Sequence, residues 1–305
     1  MAEISGAPGP GPVVGFVGLG NMGSPMAGRL AEAGYTVRGY DADPTVSRAF
    51  AMTTDRAIAV DGAAEVADQA AVVILMLPGS AVVRSVLFDD GLLDRLAPGT
   101  LLVDMSSSEP IQTRDLAAAA GERGVPMVDA PVSGGVRGAR QGSLTIMTGG
   151  APEAVESLRG LLEVMGGKIL HVGPVGAGHA LKALNNLLSA THLLVSSEAM
   201  VVGQEFGLDP SVMLEAINGS SGRSGSTEVK WPKFMLERSF DSGFGLRLML
   251  KDMRIAVELA DATGWPSRLG GAAVELWARA ADQLPPDADH TEILRWLEDE
   301  HASAD

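Results

Sequence analysis

Val13-Val14-Gly15-Phe16-Val17-Gly18-Leu19-Gly20-Asn21-Met22-Gly23-Ser24-Pro25-Met26 is the stretch that decides the fold. A short apolar run ends on glycines spaced GxGxxG, and a helical pattern through Met26, Leu30 and Ala33 follows at once. A dinucleotide requires this order: the first glycine permits a tight turn, the second lets a pyrophosphate reach the backbone, and the third lets helix and strand close up. The helix start offers unpaired N–H groups and the positive end of its dipole to phosphates. Pro25 fits the first turn, where a missing N–H costs little. A turn that serves packing alone would show the same glycines, so the surrounding residues must decide.

Asp41 ends the next strand, close to the ~20-residue distance at which an acidic side chain meets ribose hydroxyls. A carboxylate there repels a 2′-phosphate, and no arginine follows it directly, so NAD is expected over NADP, with Arg48 softening the preference. A solvated aspartate at a strand end is the plainer alternative.

Outward from this point, β-branched runs alternate with helical patterns: 13–17, 35–41, 71–77, 100–104, 125–130 and 144–147. Strands separated by helices imply parallel pairing through right-handed crossovers. The expected fold is therefore α/β, a Rossmann-type doubly wound sheet. After Gly173 the pattern turns helical, first over 178–206 without a proline, then over 210–217, 246–263, 266–283 and 291–300. The domains are expected at 13–174, a dinucleotide-binding unit, and 175–305, an all-α unit for substrate and oligomerisation; residues 1–12 read as a mobile tail. Asp289 is the expected N-cap of the last helix, with Glu292 on its exposed face.

The chain of 305 residues carries 46% hydrophobic and 20% charged residues and a net charge of −15. That acidity makes unaided binding to nucleic acid or an anionic membrane improbable. With no cysteine there is no disulfide framework and no thiolate chemistry, and the cytoplasm is the default location. The N-terminus has no secretory pattern, and the longest apolar run, 70–78, is about half the ~20 residues a membrane span needs. His171, His179, His192, His290 and His301 form no spaced ligand set, so no metal is expected. Ser133 lacks the strained elbow of a serine hydrolase.

Four blocks carry a resemblance: Gly18-Leu19-Gly20-Asn21-Met22-Gly23; Asp129-Ala130-Pro131-Val132-Ser133-Gly134-Gly135; Gly173 through His179 and Lys182 to Asn186; and Lys251-Asp252. In this order the chain resembles the β-hydroxyacid dehydrogenases, the family of 3-hydroxyisobutyrate dehydrogenase and tartronate semialdehyde reductase, from about Val13 to its end. The resemblance implies hydride transfer between a nicotinamide and a small β-hydroxy acid. Lys182 becomes the general acid/base and Asn186 the substrate-orienting amide. Ser133, Gly134 and Gly135 become carboxylate binders, and Leu77, Pro78, Ser107 and Lys251 cofactor neighbours. Homodimers or homotetramers are also implied.

The residues support this independently at one place. Lys182 and Asn186 stand four apart on the long helix, hence on one face. Oxidation of an alcohol releases a proton that an amine can take, and an amide both donates and accepts. A snorkelling lysine beside an asparagine is the structural alternative. Since an ordinary lysine titrates near 10.4, oxidation is expected to favour alkaline solution. Arg223, in Ser220-Ser221-Gly222-Arg223-Ser224-Gly225, is a candidate for a second anionic group of the substrate, against a solvated loop arginine. The stretch from Asn218 to Phe244 departs from the 3-hydroxyisobutyrate pattern, which leaves the particular hydroxy acid open. Other readings of the chain are a dinucleotide-binding regulator without turnover, or an imine reductase; intact Lys182 counts against both.

Overall fold

The computed structural model describes residues 11–302; all but the last two residues of the expected tail lie outside them. The chain divides into two units, one ending at Lys182 and the other beginning at Ala183. The division thus falls eight residues beyond the 174/175 junction read from the sequence. Its physical reason is that the first turns of the long helix are tied to the sheet by a buried aspartate described below.

Among the described residues the first unit holds β1 (Val13–Val17), β2 (Thr36–Tyr40), β3 (Ala57–Ala59), β4 (Ala70–Leu75), β5 (Leu101–Asp104), β6 (Met127–Asp129), β7 (Val132–Ser133), β8 (Leu144–Gly149) and β9 (Gly166–Gly173). Between them run α1 (Gly23–Glu32), α2 (Pro44–Thr53), α3 (Ser80–Phe88), α4 (Leu92–Arg95), α5 (Pro110–Gly121), α6 (Gly135–Gln141) and α7 (Pro152–Met165). The sheet order is β3-β2-β1-β4-β5-β6-β8-β7, with β9 on β8. Val14 pairs with Val37 on one side and Val72 on the other, both in parallel register. The chain order reverses beside β1, and an open α/β sheet binds its ligands at the strand ends of such a switch point. Strand residues Val14, Phe16, Val72 and Ile74 are fully buried against Met26 and Leu30 of α1. Each buried aliphatic side chain of this kind contributes about 1.5–3 kcal/mol.

The sheet is not parallel throughout. β8 runs antiparallel to β6 and β7, because the short link through α6 cannot complete the dozen-residue crossover that parallel strands need. The longer link through α7 can, and β9 lies parallel to β8.

The helix α8 (Ala177–Glu205) leads into the second unit, followed by α9 (Pro210–Asn218), a π-helical stretch Ser226–Met235, α10 (Leu246–Ala262), α11 (Arg268–Gln283) and α12 (Ile293–Ala302). Trp231, Trp277 and Trp296 fill its core with Leu246, Met253 and Ile293. Asp289 caps the last helix through a capping box in which Glu292 returns a bond to the Asp289 N–H at 3.1 Å. Glu292 is therefore half-buried in the cap and not on an exposed face. No helix among the described residues is long and apolar enough to cross a membrane.

Candidate active site

The turn after β1 has the shape its glycines call for. Gly18 adopts φ +93°, and a Cβ on Gly23 would stand 1.8 Å from the Gly18 carbonyl oxygen, so helix and strand touch only because both are glycine. Gly20 faces open space, with nothing within 4 Å of where its Cβ would be. A pyrophosphate fits against such bare backbone, beside Leu19, Asn21 and Met22 at the start of α1. Asp41 closes this loop from below, its Oδ2 accepting from Leu19 N at 2.8 Å and Oδ1 from Asp43 N at 3.0 Å. A carboxylate has about four lone-pair sites, so two remain for ribose hydroxyls. Asp41 lines a cavity of about 300 Å³ together with Arg48, Pro44 and Ser47. These residues fit a dinucleotide.

Neighbouring strand ends are laced to one another. Leu77 N, before Pro78, donates to Ser106 Oγ at 2.9 Å, joining the turns after β4 and β5. Ser107 is half-buried in the second of these turns. Asp104, fully buried, accepts from Ser106 N and from Ser108 Oγ at 3.0 and 2.9 Å. Ser133 ends β7, with Gly134 (φ +132°) and Gly135 (φ +60°) opening α6. That backbone reversal is one that glycine adopts without strain.

Asp129, at the end of β6, is an anchor that sequence reasoning placed in a motif without giving it a role. Its Oδ1 accepts from Gly176 N at 2.6 Å and its Oδ2 from His179 N at 2.8 Å, which satisfies orphan donors at the start of α8. Gly149 and Gly178 must be glycine here, because a Cβ on either would come within 3 Å of this carboxylate. Burial pushes the Asp129 carboxyl up from its ordinary range, against the opposing pull of His179 and the backbone donors. His179 is itself buried, its Nδ1 2.8 Å from Thr113 Oγ1 and its Nε2 3.9 Å from Asp104 Oδ2. A strand-end carboxylate therefore fixes the azimuth of α8 one turn before Lys182, which is 7% exposed.

Asn186 lies one turn beyond Lys182 on α8 and is also buried. Within the helical unit its Nδ2 donates to Asp252 Oδ2 at 2.6 Å, and Lys251 Nζ stands 3.2 Å from Asp252 Oδ1. Ala183 packs on Ile255 and Ala256, pinning α8 to α10 at this level. One amide hydrogen of Asn186 is thus spent on orientation, and its Oδ1 accepts from Asn185 Nδ2 at 3.2 Å.

No element is read from the sequence pattern over the π-helical stretch. In a π-helix each N–H reaches the carbonyl five residues back, so Pro232 leaves the Thr227 oxygen without its donor. Asn218 Nδ2 takes that place at 3.1 Å. The stretch presents Lys230, whose Nζ donates to Ser189 Oγ of α8 at 2.8 Å. Arg223, three residues before this stretch, has a side chain that is 62% exposed, with its Nε 3.6 Å from Glu228 Oε1.

Residues 13–173 match the model of the NAD binding domain of 6-phosphogluconate dehydrogenase, and residues 176–297 match that of the NAD-binding of NADP-dependent 3-hydroxyisobutyrate dehydrogenase. The chain is 42% identical over 289 residues to the NAD-dependent L-serine dehydrogenase of Pseudomonas aeruginosa, spanning 92% of this chain and 96% of that protein. It is 38% identical over 265 residues to the 2-(hydroxymethyl)glutarate dehydrogenase of Eubacterium barkeri, spanning 87% of each. A solved structure of the Mycobacterium tuberculosis 3-hydroxyisobutyrate dehydrogenase with L-serine superposes with a TM-score of 0.88 at 35% identity, covering 93% of this chain and 98% of that one. A Rossmann unit followed by an all-helical unit, with this turn and this lysine helix, defines a nicotinamide-dependent oxidoreductase of small hydroxy acids. The chain belongs to the β-hydroxyacid dehydrogenase family.

Proposed function

We propose that Lys182 is the proton-handling group of this dehydrogenase and Asn186 the amide that orients the substrate hydroxyl. The observation that carries the reading is a single helix bearing both buried side chains one turn apart, its start held by Asp129 and its Asn186 held by Asp252. A bound nicotinamide supplies the hydride acceptor, or the donor in reduction. The Lys182 amine takes the hydroxyl proton as the carbinol carbon gives up its hydride, and returns that proton to the oxygen in the reverse direction. Ser133, Gly134 and Gly135 hold the substrate carboxylate with a hydroxyl and backbone N–H groups. Leu77, Pro78, Ser107 and Lys251 are assigned to the cofactor. Asp41 takes the adenosine ribose and favours NAD, while Arg48 on the same cavity keeps NADP usable.

The substrate is a β-hydroxy acid of the kind represented by L-serine, 3-hydroxyisobutyrate and 2-(hydroxymethyl)glutarate. Lys182→Ala tests the reading: turnover with every such acid is expected to fall by roughly the 10²–10⁴-fold attributed to a positioned acid/base, while the NAD dissociation constant stays within a few-fold. A variant that keeps wild-type turnover would remove the lysine from the chemistry.

The working form is a homo-oligomer of the cytoplasm. Leu188, Val195 and Val202 recur every seventh residue on α8 and are each more than half exposed, an apolar stripe of the kind that a second copy covers. Light scattering is expected to report a mass of at least two chains, and Val195→Asp to lower it; a wild-type monomer at micromolar concentration contradicts this.

A further inference from the structure

Lys230 is a half-buried ammonium whose one hydrogen-bond acceptor among the described residues is neutral: Ser189 Oγ, at 2.8 Å. It forms no ion pair among those residues. The carboxylate that acts on it electrostatically, Asp289, is already engaged. Asp289 accepts from Ser242 Oγ, from the backbone N–H groups of Gly243, Phe244 and Thr291, and from Thr291 Oγ1. The other titratable neighbour, His290, is kept neutral by its burial. A half-buried ammonium has lost part of its hydration, a cost that an arriving anion offsets. Desolvation draws the ammonium down to about 8, with Asp289 pulling the other way, so it remains charged at neutral pH.

Its anchor gives it a direction. Lys182, Asn186 and Ser189 occupy positions i, i+4 and i+7 of one helix and share a face. At 1.5 Å per residue, Ser189 lies ~4.5 Å further along that face than Asn186. Ser226 Oγ also reaches the Ser189 carbonyl, at 3.5 Å, fastening the π-helical stretch to the same turn. An ammonium has three donors; Ser189 takes one, and two remain.

We propose that Lys230, held by Ser189, is a specificity-determining residue that binds a second carboxylate on the substrate, one helical turn from the hydroxyl oriented by Asn186. The inference rests on the assignment of Asn186 above. It makes the substrate class a dianionic β-hydroxy acid, and it moves the second anion contact from the solvated Arg223, already beside Glu228, to a cation that forms no ion pair among the described residues. A lysine that only tethers the π-helical stretch would matter equally to every substrate, and that is the contrast to measure.

The test compares kcat/KM for 2-(hydroxymethyl)succinate and 2-(hydroxymethyl)butanoate, which differ by a terminal carboxylate against a methyl, and for the pair one methylene longer. The wild type is expected to favour the diacid in at least one pair. Lys230→Met should lower the diacid-to-monoacid ratio at least tenfold, and Lys230→Arg should retain part of it. Calorimetric titration of the same acids into the NAD complex of Lys182→Ala supplies a readout without turnover. There the diacid should bind at least tenfold tighter than the monoacid, and the double variant with Lys230→Met should lose that difference. A ratio that does not move, or equal losses for both acids, overturns the inference. An active Lys182→Ala enzyme whose ratio still depends on Lys230 would instead overturn only the assignment of Lys182.

Discussion

Under the proposed assignments, Gly20 and Lys230 represent two ways of recognising an anion in one protein. At the turn after β1 the ligand meets bare backbone, and what matters is which side chains are missing: Gly20 opens space, and Gly23 lets α1 touch the Gly18 carbonyl. In the helical unit the groups are side chains, each fixed by a second residue: Asn186 by Asp252, Lys230 by Ser189. Backbone recognition depends on glycine spacing and tolerates change around it. Side-chain recognition depends on partners distant in sequence, so a few substitutions can redirect it. On the proposed assignments, the cofactor-binding turn is accordingly constrained and the substrate contacts adjustable.

The largest break in this comparison comes from the third glycine. Gly23→Ala forces a Cβ onto the Gly18 oxygen, and overpacking of this kind costs about 1–3 kcal/mol or more. Thermal denaturation should show a marked fall in Tm along with loss of NAD binding. Gly20→Ala is the control. Nothing stands within 4 Å of its Cβ, so Tm should hold while the NAD dissociation constant rises about tenfold or more, a change of ~1.4 kcal/mol. Equal losses of stability in the two variants would break the distinction between packing glycine and ligand-facing glycine.

A smaller effect is expected at Asp41. Asp41→Asn keeps an acceptor for Leu19 N but removes the charge, and the ratio of kcat/KM for NAD over NADP should fall about tenfold. An unchanged ratio would detach Asp41 from cofactor choice.

The smallest effect concerns pH. Burial first, then the Lys230 charge, draws the His290 imidazole down to about 4, against Asp289. In the unfolded chain it titrates near 6.5, so the unfolded state binds more protons between those values. The stability His290 contributes is fully present above about 6.5 and is lost as pH falls towards 4. Urea denaturation of His290→Asn, which keeps an amide donor near the Nδ1 position facing the Phe244 carbonyl, should show a shallower decline over that window. The same slope in both proteins would argue against a neutral buried imidazole.

What could be read from the sequence divides along the same line. β1, β2, β4, β5, β6 and β8 announce themselves by β-branched runs, and α8 is readable end to end because no proline or strand alternation interrupts it. β3 and β7 are too short to carry a pattern, and β9 opens on two glycines and shows no buried alternation. The glycine turn, Asp41 and the Lys182/Asn186 spacing are local signals. Asp129 as the cap of α8 and Asp252 as the support of Asn186 are not, since each acts on a residue about fifty or more positions away. The π-helical stretch is hidden by Pro232, which argues against a helix until the Asn218 amide is seen to replace the missing donor. Lys230 is hidden with it, while the conspicuous Arg223 next to it turns outward.

Chemical rescue tests the role of Lys182 most directly. Lys182→Ala, saturated with NAD and a β-hydroxy acid, should show almost no absorbance change from reduced nicotinamide, and small primary amines added to the solution should restore it, faster for the more basic amines at equal free-base concentration. A variant that turns over within tenfold of wild type without amine would show that the proton leaves by another route.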